Sequence, residues 1–330
     1  MIFRQLFDLK SSTYTYILGD EETRDSISID PVRSQIERDL KLLQELNLTL
    51  KFILETHVHA DHVTSASHLR DRTGAKTVYG SKTNLKCADI LIEDGENLEC
   101  GNIKITALHT PGHTNGCTSY WVDNKVFTGD ALMIRACGRT DFQEGSNEKL
   151  FKSVREKLFA LPDETLVYTA HDYLGRMVST IGEEKKFNPR LGLSQTLEDF
   201  IAFMEEHRLP YPKMMDIAVP LNQSCGKMEK EEFEITPDEL VPETGNVILV
   251  DVRGAEELKG PSGYIEGIVL ATLGEDLNSF LESANPEAPY VFICERGRRS
   301  ALALFEARAR GFQDVKSLQG GMLYWRACGK

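Results

Sequence analysis

Apolar positions along this chain recur with two periods, and the period changes from segment to segment. Residues 1–8 (Met-Ile-Phe-Arg-Gln-Leu-Phe-Asp), 13–19 and 26–30 read as strands, whereas residues 34–46 carry apolar side chains at helical spacing. Residues 49–55 form another strand-like run, and residues 63–72 predict a helix that Gly74 ends. Residues 103–108, 118–122 and 125–128 predict strands, with Asn124-Lys125 in a tight turn between the last two. Helical patterns return at 147–160 and 195–206, with an extended segment at 166–169 between them. Strand-rich halves with helices between them suit an α/β fold in which two sheets form a sandwich flanked by helices.

The pattern then breaks. Prolines stand at 210, 212 and 220, and residues 227–234 are a dense charge run. This places a linker at 211–235, between an N-terminal domain of residues 1–210 and a C-terminal domain of residues 236–330. In the second domain, strands at 247–252 and 290–293 alternate with helices at 275–283 and 299–310. Such alternation predicts a small doubly wound parallel sheet. A length of 330 residues agrees with two domains, and no internal repeat relates them.

Bulk properties narrow the function. No apolar run is long enough to cross a membrane, and the first residues resemble neither a signal peptide nor a transit peptide. A net charge of −13 disfavours nucleic acid and anionic membrane as partners, so an anionic substrate needs a local basic pocket. The seven cysteines (87, 100, 117, 137, 225, 294, 328) are odd in number and scattered. They do not read as a disulfide framework, and a reducing cytoplasm is the expected location. Cys117 and Cys137 read as small buried residues rather than nucleophiles.

The chemistry concentrates in Thr56-His57-Val58-His59-Ala60-Asp61-His62, directly after an apolar run. Three more candidates follow at wide spacing: His113 after Thr110-Pro111-Gly112, Asp130 after Phe127-Thr128-Gly129, and His171 after Thr169-Ala170. Imidazole and carboxylate donors without cysteine suit zinc, iron or manganese. His57, His113 and Asp130 could form a two-histidine, one-carboxylate face that leaves positions open for Fe(II) and O₂ chemistry. His59, Asp61, His62 and His171 could complete a second metal site, with Asp130 bridging two metals that activate hydroxide for hydrolysis. They could equally orient the first ligands through hydrogen bonds. The donors alone leave both arrangements open.

The motif Thr-His-Val-His-Ala-Asp-His, with His113, Asp130 and His171 following in order, resembles the metallo-β-lactamase superfamily, which implies an αββα sandwich. Within it, residues 110–117 (Thr-Pro-Gly-His-Thr-Asn-Gly-Cys) and 127–143 (Phe-Thr-Gly-Asp-Ala-Leu-Met-Ile-Arg-Ala-Cys-Gly-Arg-Thr-Asp-Phe-Gln) resemble the persulfide dioxygenases, the ethylmalonic encephalopathy protein-like group. The likeness spans roughly residues 1–210, and residues 134–143 discriminate best. It implies one Fe(2+) per chain on His57, His113 and Asp130. It also implies oxidation of glutathione persulfide by O₂ to glutathione and sulfite. The superfamily motifs by themselves fit a binuclear zinc hydrolase of glutathione thioesters, like glyoxalase II. Glutathione carries two carboxylates, so Arg139, Tyr173 and Arg176 are candidate substrate-binding residues, with an Arg139–Asp141 pairing as the structural alternative.

In the second domain, Cys294-Glu295-Arg296-Gly297-Arg298-Arg299-Ser300 follows a strand and opens a helix. A cysteine there meets backbone N–H groups and the positive end of a helix, which favour a thiolate and a bound anion. The segment resembles the rhodanese sulfurtransferases, as do Asp251-Val252-Arg253 and residues 320–325 (Gly-Gly-Met-Leu-Tyr-Trp). This implies Cys294 as the sulfur-carrying nucleophile, Arg299 as its catalytic partner, and Glu295, Arg296, Gly297 and Arg298 as the persulfide loop. The run from Cys294 to Arg299 has the length associated with sulfur transfer rather than phosphatase chemistry. Tyr264 stands where rhodanese patterns carry histidine, a position read as structural. A rhodanese-like module that serves only as a dock is the non-catalytic alternative. Expected partners are glutathione persulfide, O₂, glutathione, and thiosulfate or sulfite. Coenzyme A or bacillithiol are alternative thiols, and a homodimer is compatible with such an enzyme.

Overall fold

A computed structural model describes residues 1–207, 210, 214–227 and 230–330. The chain forms two compact units, Met1–Lys227 and Met228–Lys330.

The first unit contains two six-stranded sheets. One is ordered Ile2–Asp8, Thr13–Gly19, Asp25–Ile29, Thr49–Leu54, Lys76–Gly80, Ile90–Ile92; the other Ser179–Thr180, Leu166–Thr169, Lys125–Gly129, Thr118–Val122, Ile103–His109, Asn97–Cys100. Their inner faces meet in one core, where Tyr16, Leu18, Ile27 and Leu54 pack against Ile105, Tyr120, Val122 and Phe127. Thr13–Gly19 is buried at every position, because Ile17 on its other face meets the helices Ile36–Glu45 and Ala66–Thr73. Each such apolar side chain contributes about 1.5–3 kcal/mol on burial. The outer face of the second sheet, with Val126 and Val167, is covered by Leu150, Val154, Ile181 and Phe200 from the helical segments that follow. This is the expected αββα sandwich.

The second unit is a five-stranded parallel sheet ordered Glu234–Ile235, Val315–Leu318, Tyr290–Ile293, Ile248–Asp251, Val269–Leu270. Val250, Phe292, Leu304 and Ala307 build the core on one face, and Leu249, Val291, Leu318 and Trp325 on the other. Helices on both faces make it doubly wound.

Four expectations need correction. The helix expected at 63–72 begins at Ala66, because Thr64 pairs with Val32 in an isolated bridge. The helix at 147–160 is α-helical only over Asn147–Ser153 and widens into a π-helical turn at Val154–Leu158. The proline-bearing stretch expected as linker holds a helix, Met215–Asn222, that belongs to the first unit, and Glu234–Ile235 pairs into the second sheet. Finally, Cys87 and Cys225 form a disulfide, while the other five cysteines are buried. Their sequence separation of 138 residues hid the pair from any spacing argument. Among the described residues, no helix is long and apolar enough to cross a membrane.

Candidate metal centre and sulfur-transfer loop

The candidate ligands of the first unit stand where strands end. Asp25–Ile29 and Thr49–Leu54 run parallel and deliver Asp30 and His57 to one edge of their sheet. Ile103–His109, Lys125–Gly129 and Leu166–Thr169 share one direction in the other sheet and deliver His113, Asp130 and His171. One donor atom each from His57, His113 and Asp130 lies within 4.8 Å of the others. All three side chains line a cavity of about 460 Å³, together with Arg139, Tyr173 and Arg190.

Hydrogen bonds fix which imidazole nitrogen faces that point. His113 Nδ1 lies 2.6 Å from the carbonyl oxygen of Arg139, which can only accept, so Nδ1 donates there and Nε2 is the nitrogen left to face Asp130, 3.6 Å away. Thr56 Oγ1 donates to Asp30 Oδ2 (2.8 Å), so it accepts from His57 Nδ1 at 3.0 Å. That leaves Nε2 of His57 unprotonated. A second layer of acceptors of this kind is what orients histidine ligands in metal sites. Burial, aided by the neighbouring imidazoles of His59 and His113, pushes the His57 pKa well below its usual range, so the ring is a neutral donor. Burial opposes the charge on Asp130, but His171, His113 and His57 outweigh it and hold the carboxyl well below the usual carboxylate range. Two imidazoles and a carboxylate fit a divalent metal. Gly138 completes the pocket wall: a Cβ there would lie 2.8 Å from His113 Nδ1 and 2.9 Å from Asp130 Cβ.

The outer four candidates are differently bound. His171 reaches Asp130 through Nδ1 (2.8 Å) and Asp61 through Nε2 (2.9 Å). Both nitrogens are committed to carboxylates, which overcome desolvation and raise its pKa well above the usual value. His59 Nε2 lies 3.1 Å from Asp30 and 3.2 Å from Glu55, and these carboxylates overcome burial to raise its pKa to about 10. Burial raises Glu55 in turn to about 7. His62 Nδ1 meets Asp61 Oδ2 at 2.8 Å. Among the described residues His59 Nδ1 and His62 Nε2 have no hydrogen-bond partner, and His59, Asp61 and His62 also stand close enough to hold an ion.

The substrate-binding candidates separate. Tyr173 lines the cavity and stacks on His171, 6.2 Å between ring centroids. Arg139 lines it too, yet its guanidinium pairs with Asp141 at 2.6 Å and donates to Pro210 O at 2.7 Å, so the structural alternative describes its contacts. Arg176 is absent from the lining and pairs with Asp172 at 2.8 Å. Arg190, which carries no sequence signal, lines this cavity and an adjoining one of about 380 Å³. It donates to Cys137 O (3.0 Å) and stacks on Phe203, with no carboxylate partner among the described residues. Cys117 and Cys137 are buried, which pushes their thiols up to about 12 and about 11, as expected of packing residues.

In the second unit, Cys294 ends the strand Tyr290–Ile293 and Arg298–Ala309 follows as a helix. The Gly297 N–H donates to Cys294 Sγ at 3.1 Å, and Ser300 Oγ lies 3.3 Å from it. Buried Arg253 ties the loop down through Asp251, Ser262 and, at 2.7 Å, Glu295. Arg299 is committed to Glu257 by two hydrogen bonds of 2.7 Å, which pull the Glu257 carboxyl down to about 2. Arg296 and Arg298 are exposed at the loop.

Comparison with known proteins agrees with both halves. Residues 13–86 and 85–171 match the metallo-β-lactamase superfamily, and residues 238–328 match the rhodanese-like domain. The chain is 46% identical over 229 residues to the mitochondrial persulfide dioxygenase ETHE1 of Bos taurus, covering 68% of this chain and 89% of that protein. The crystal structure of ETHE1 from Myxococcus xanthus is 50% identical with a TM-score of 0.68, covering 69% of this chain and all of that one. A metallo-β-lactamase structure from Staphylococcus aureus subsp. aureus COL, 23% identical with a TM-score of 0.64, shares the fold over 97% of this chain and 98% of its own. The chain belongs to the persulfide dioxygenase family of the metallo-β-lactamase superfamily, and joins to that domain a C-terminal rhodanese-like domain.

Proposed function

We propose that the first unit holds one Fe(II) on His57, His113 and Asp130 and oxidises glutathione persulfide: GSSH + O₂ + H₂O → GSH + SO₃²⁻ + 2 H⁺. The observation that carries this is that Nδ1 of both His57 and His113 is engaged behind the site, while one donor atom each of His57, His113 and Asp130 lies within 4.8 Å of the others. When bound, the metal would supply the redox and Lewis-acid chemistry that activates dioxygen and a persulfide sulfur. The chain's own residues do the rest. His171, bonded to Asp130 through Nδ1, holds that carboxylate in place, and Tyr173 lines the cavity beside it. Arg190 gives the anionic tripeptide a positive wall in an otherwise acidic protein, with Arg139 held beside it by Asp141. Arg190→Ala is expected to raise the apparent KM for glutathione persulfide about tenfold or more, the worth of a charged hydrogen bond. An uncharged alkyl persulfide is the control; an equal effect on both substrates would remove Arg190 from carboxylate binding.

The second unit is proposed to carry sulfane sulfur on Cys294. Thiosulfate yields a Cys294 persulfide and sulfite, and glutathione then takes the sulfur as glutathione persulfide; the pair of steps also runs in reverse. Gly297 N–H stabilises the sulfur anion, and Arg299, held by Glu257, adds positive charge at the rim beside Arg296 and Arg298. Cys294 and Arg299 are the proposed catalytic residues, and Glu295–Arg298 the loop that receives the sulfur.

The orphaned nitrogens of His59 and His62 favour a second arrangement, two zinc ions and hydrolysis of glutathione thioesters. Metal analysis of anaerobically purified protein separates the two. About one iron per chain, with O₂ uptake and sulfite formation on adding glutathione persulfide, is the expected result. Two zincs per chain with thioester hydrolysis would replace the dioxygenase.

A further inference from the structure

The disulfide Cys87–Cys225, with Cα atoms 5.9 Å apart, lies outside the cavity lining and plays no part in the chemistry above. Its surroundings tie it to the metal-binding loop. Asn222 donates from Nδ2 to the carbonyls of His59 and His62, both at 2.8 Å, and accepts from Thr64 N at 2.9 Å. The Cys225 carbonyl accepts from Ser67 N at 3.0 Å. At Gly226 the backbone presses so closely on the loop that a Cβ would sit 2.1 Å from Thr64 O. Residues 222–226 therefore brace the loop that carries His57, His59, Asp61 and His62. On the other side, Cys87, Ala88 and Val58 pack around Tyr79, Leu85 and Cys225, and Val58 is the residue between His57 and His59. The two residues differ in exposure: Cys225 is fully buried and Cys87 is half-buried.

We propose that Cys87–Cys225 is an exchange site for low-molecular-weight thiols, and that its state sets how firmly residues 222–226 brace the metal-binding loop. Access assigns the direction of attack. A thiolate RS⁻ bonds to Cys87 Sγ as the S–S bond breaks, and the electron pair leaves on Cys225 sulfur, which takes up a proton. A second RSH displaces RS from Cys87, so two RSH become RSSR and the disulfide becomes two thiols. The freed Cys87 S–H has the Gln223 carbonyl 3.5 Å away as acceptor. With the bond in place, the brace is pinned to residue 87; without it, the hydrogen bonds of Asn222 and Cys225 hold alone. The proposal goes beyond the dioxygenase reading and does not depend on which metal or substrate the cavity takes.

The test uses the full chain in buffers of graded reduced and oxidised glutathione. Alkylation with peptide mapping reads the state of Cys87 and Cys225, and hydrogen exchange reads the amides of Thr64 and Ser67. The expected result is one two-electron transition, with those amides exchanging at least tenfold faster in the dithiol form. Cys87→Ser is expected to exchange fast at every ratio, and Cys100→Ser to follow the parent protein. A cysteine pair that keeps one state across all ratios, or equal protection in both states, overturns the proposal.

Discussion

Replacing Cys294 by serine is expected to lower thiosulfate:glutathione sulfur transfer on the order of a thousandfold or more, while oxygen uptake on supplied glutathione persulfide stays at the parent rate. The size follows from the chemistry: transfer needs a sulfur that can hold a second sulfur, and a serine oxygen cannot form that bond. Packing gives no reason for the fold to suffer. Serine is nearly isosteric, and its hydroxyl finds the Gly297 N–H and Ser300 Oγ already placed around Sγ. The independence of oxygen uptake follows from separate cores: Phe292 and Leu304 pack within the second unit, and Tyr16 and Phe127 within the first. Both activities are to be recorded on the same metal-loaded preparation. Loss of both would contradict the division of labour between the units.

Asp130→Asn is expected to have the second large effect, weakening metal retention by at least about a hundredfold and abolishing oxygen uptake with it; removal of a residue that merely supports a ligand already costs 10–100-fold. An amide offers the metal one neutral oxygen in place of an anionic one. It also removes half of the charge that holds His171 between two carboxylates. His171 then keeps Asp61 as its carboxylate partner, with Thr13 Oγ1 beside the same nitrogen. Sulfur transfer by Cys294 is expected to remain unchanged in this variant, which makes it the mirror of Cys294→Ser. Equilibrium dialysis against a chelator measures the metal term; full retention would remove Asp130 from the ligand set.

The candidate ligands were legible because each is a reactive residue type placed where an apolar run stops. His57, His113, Asp130 and His171 all satisfy that rule, and the structure gathers them because their strands point to one edge. The sandwich was legible for a related reason, since Thr13–Gly19 and Thr118–Val122 carry enough β-branched and aromatic residues to declare themselves. Short pieces did not: Ile90–Ile92, Ser179–Thr180 and Val269–Leu270 are too brief to show any period, and they exist because a longer neighbour offers them a ladder. Contacts across long separations were equally hidden. Asn222 sits among prolines and polar residues that read as linker, yet it bonds His59 O, 163 positions away. Arg190 has no pattern around it, and Arg176, which follows His171 closely in sequence, spends its charge on Asp172.

The acceptor for His113 Nδ1 is the main-chain carbonyl of Arg139, while the Arg139 guanidinium pairs with Asp141 at the cavity wall. Every amino acid brings the same carbonyl to that position. Substitution at 139 can therefore retune which molecules the cavity admits without disturbing the orientation of the histidine beneath it. The two traits are inherited through different atoms of one residue, so selection for a new thiol partner could act on this position while the metal chemistry is left intact.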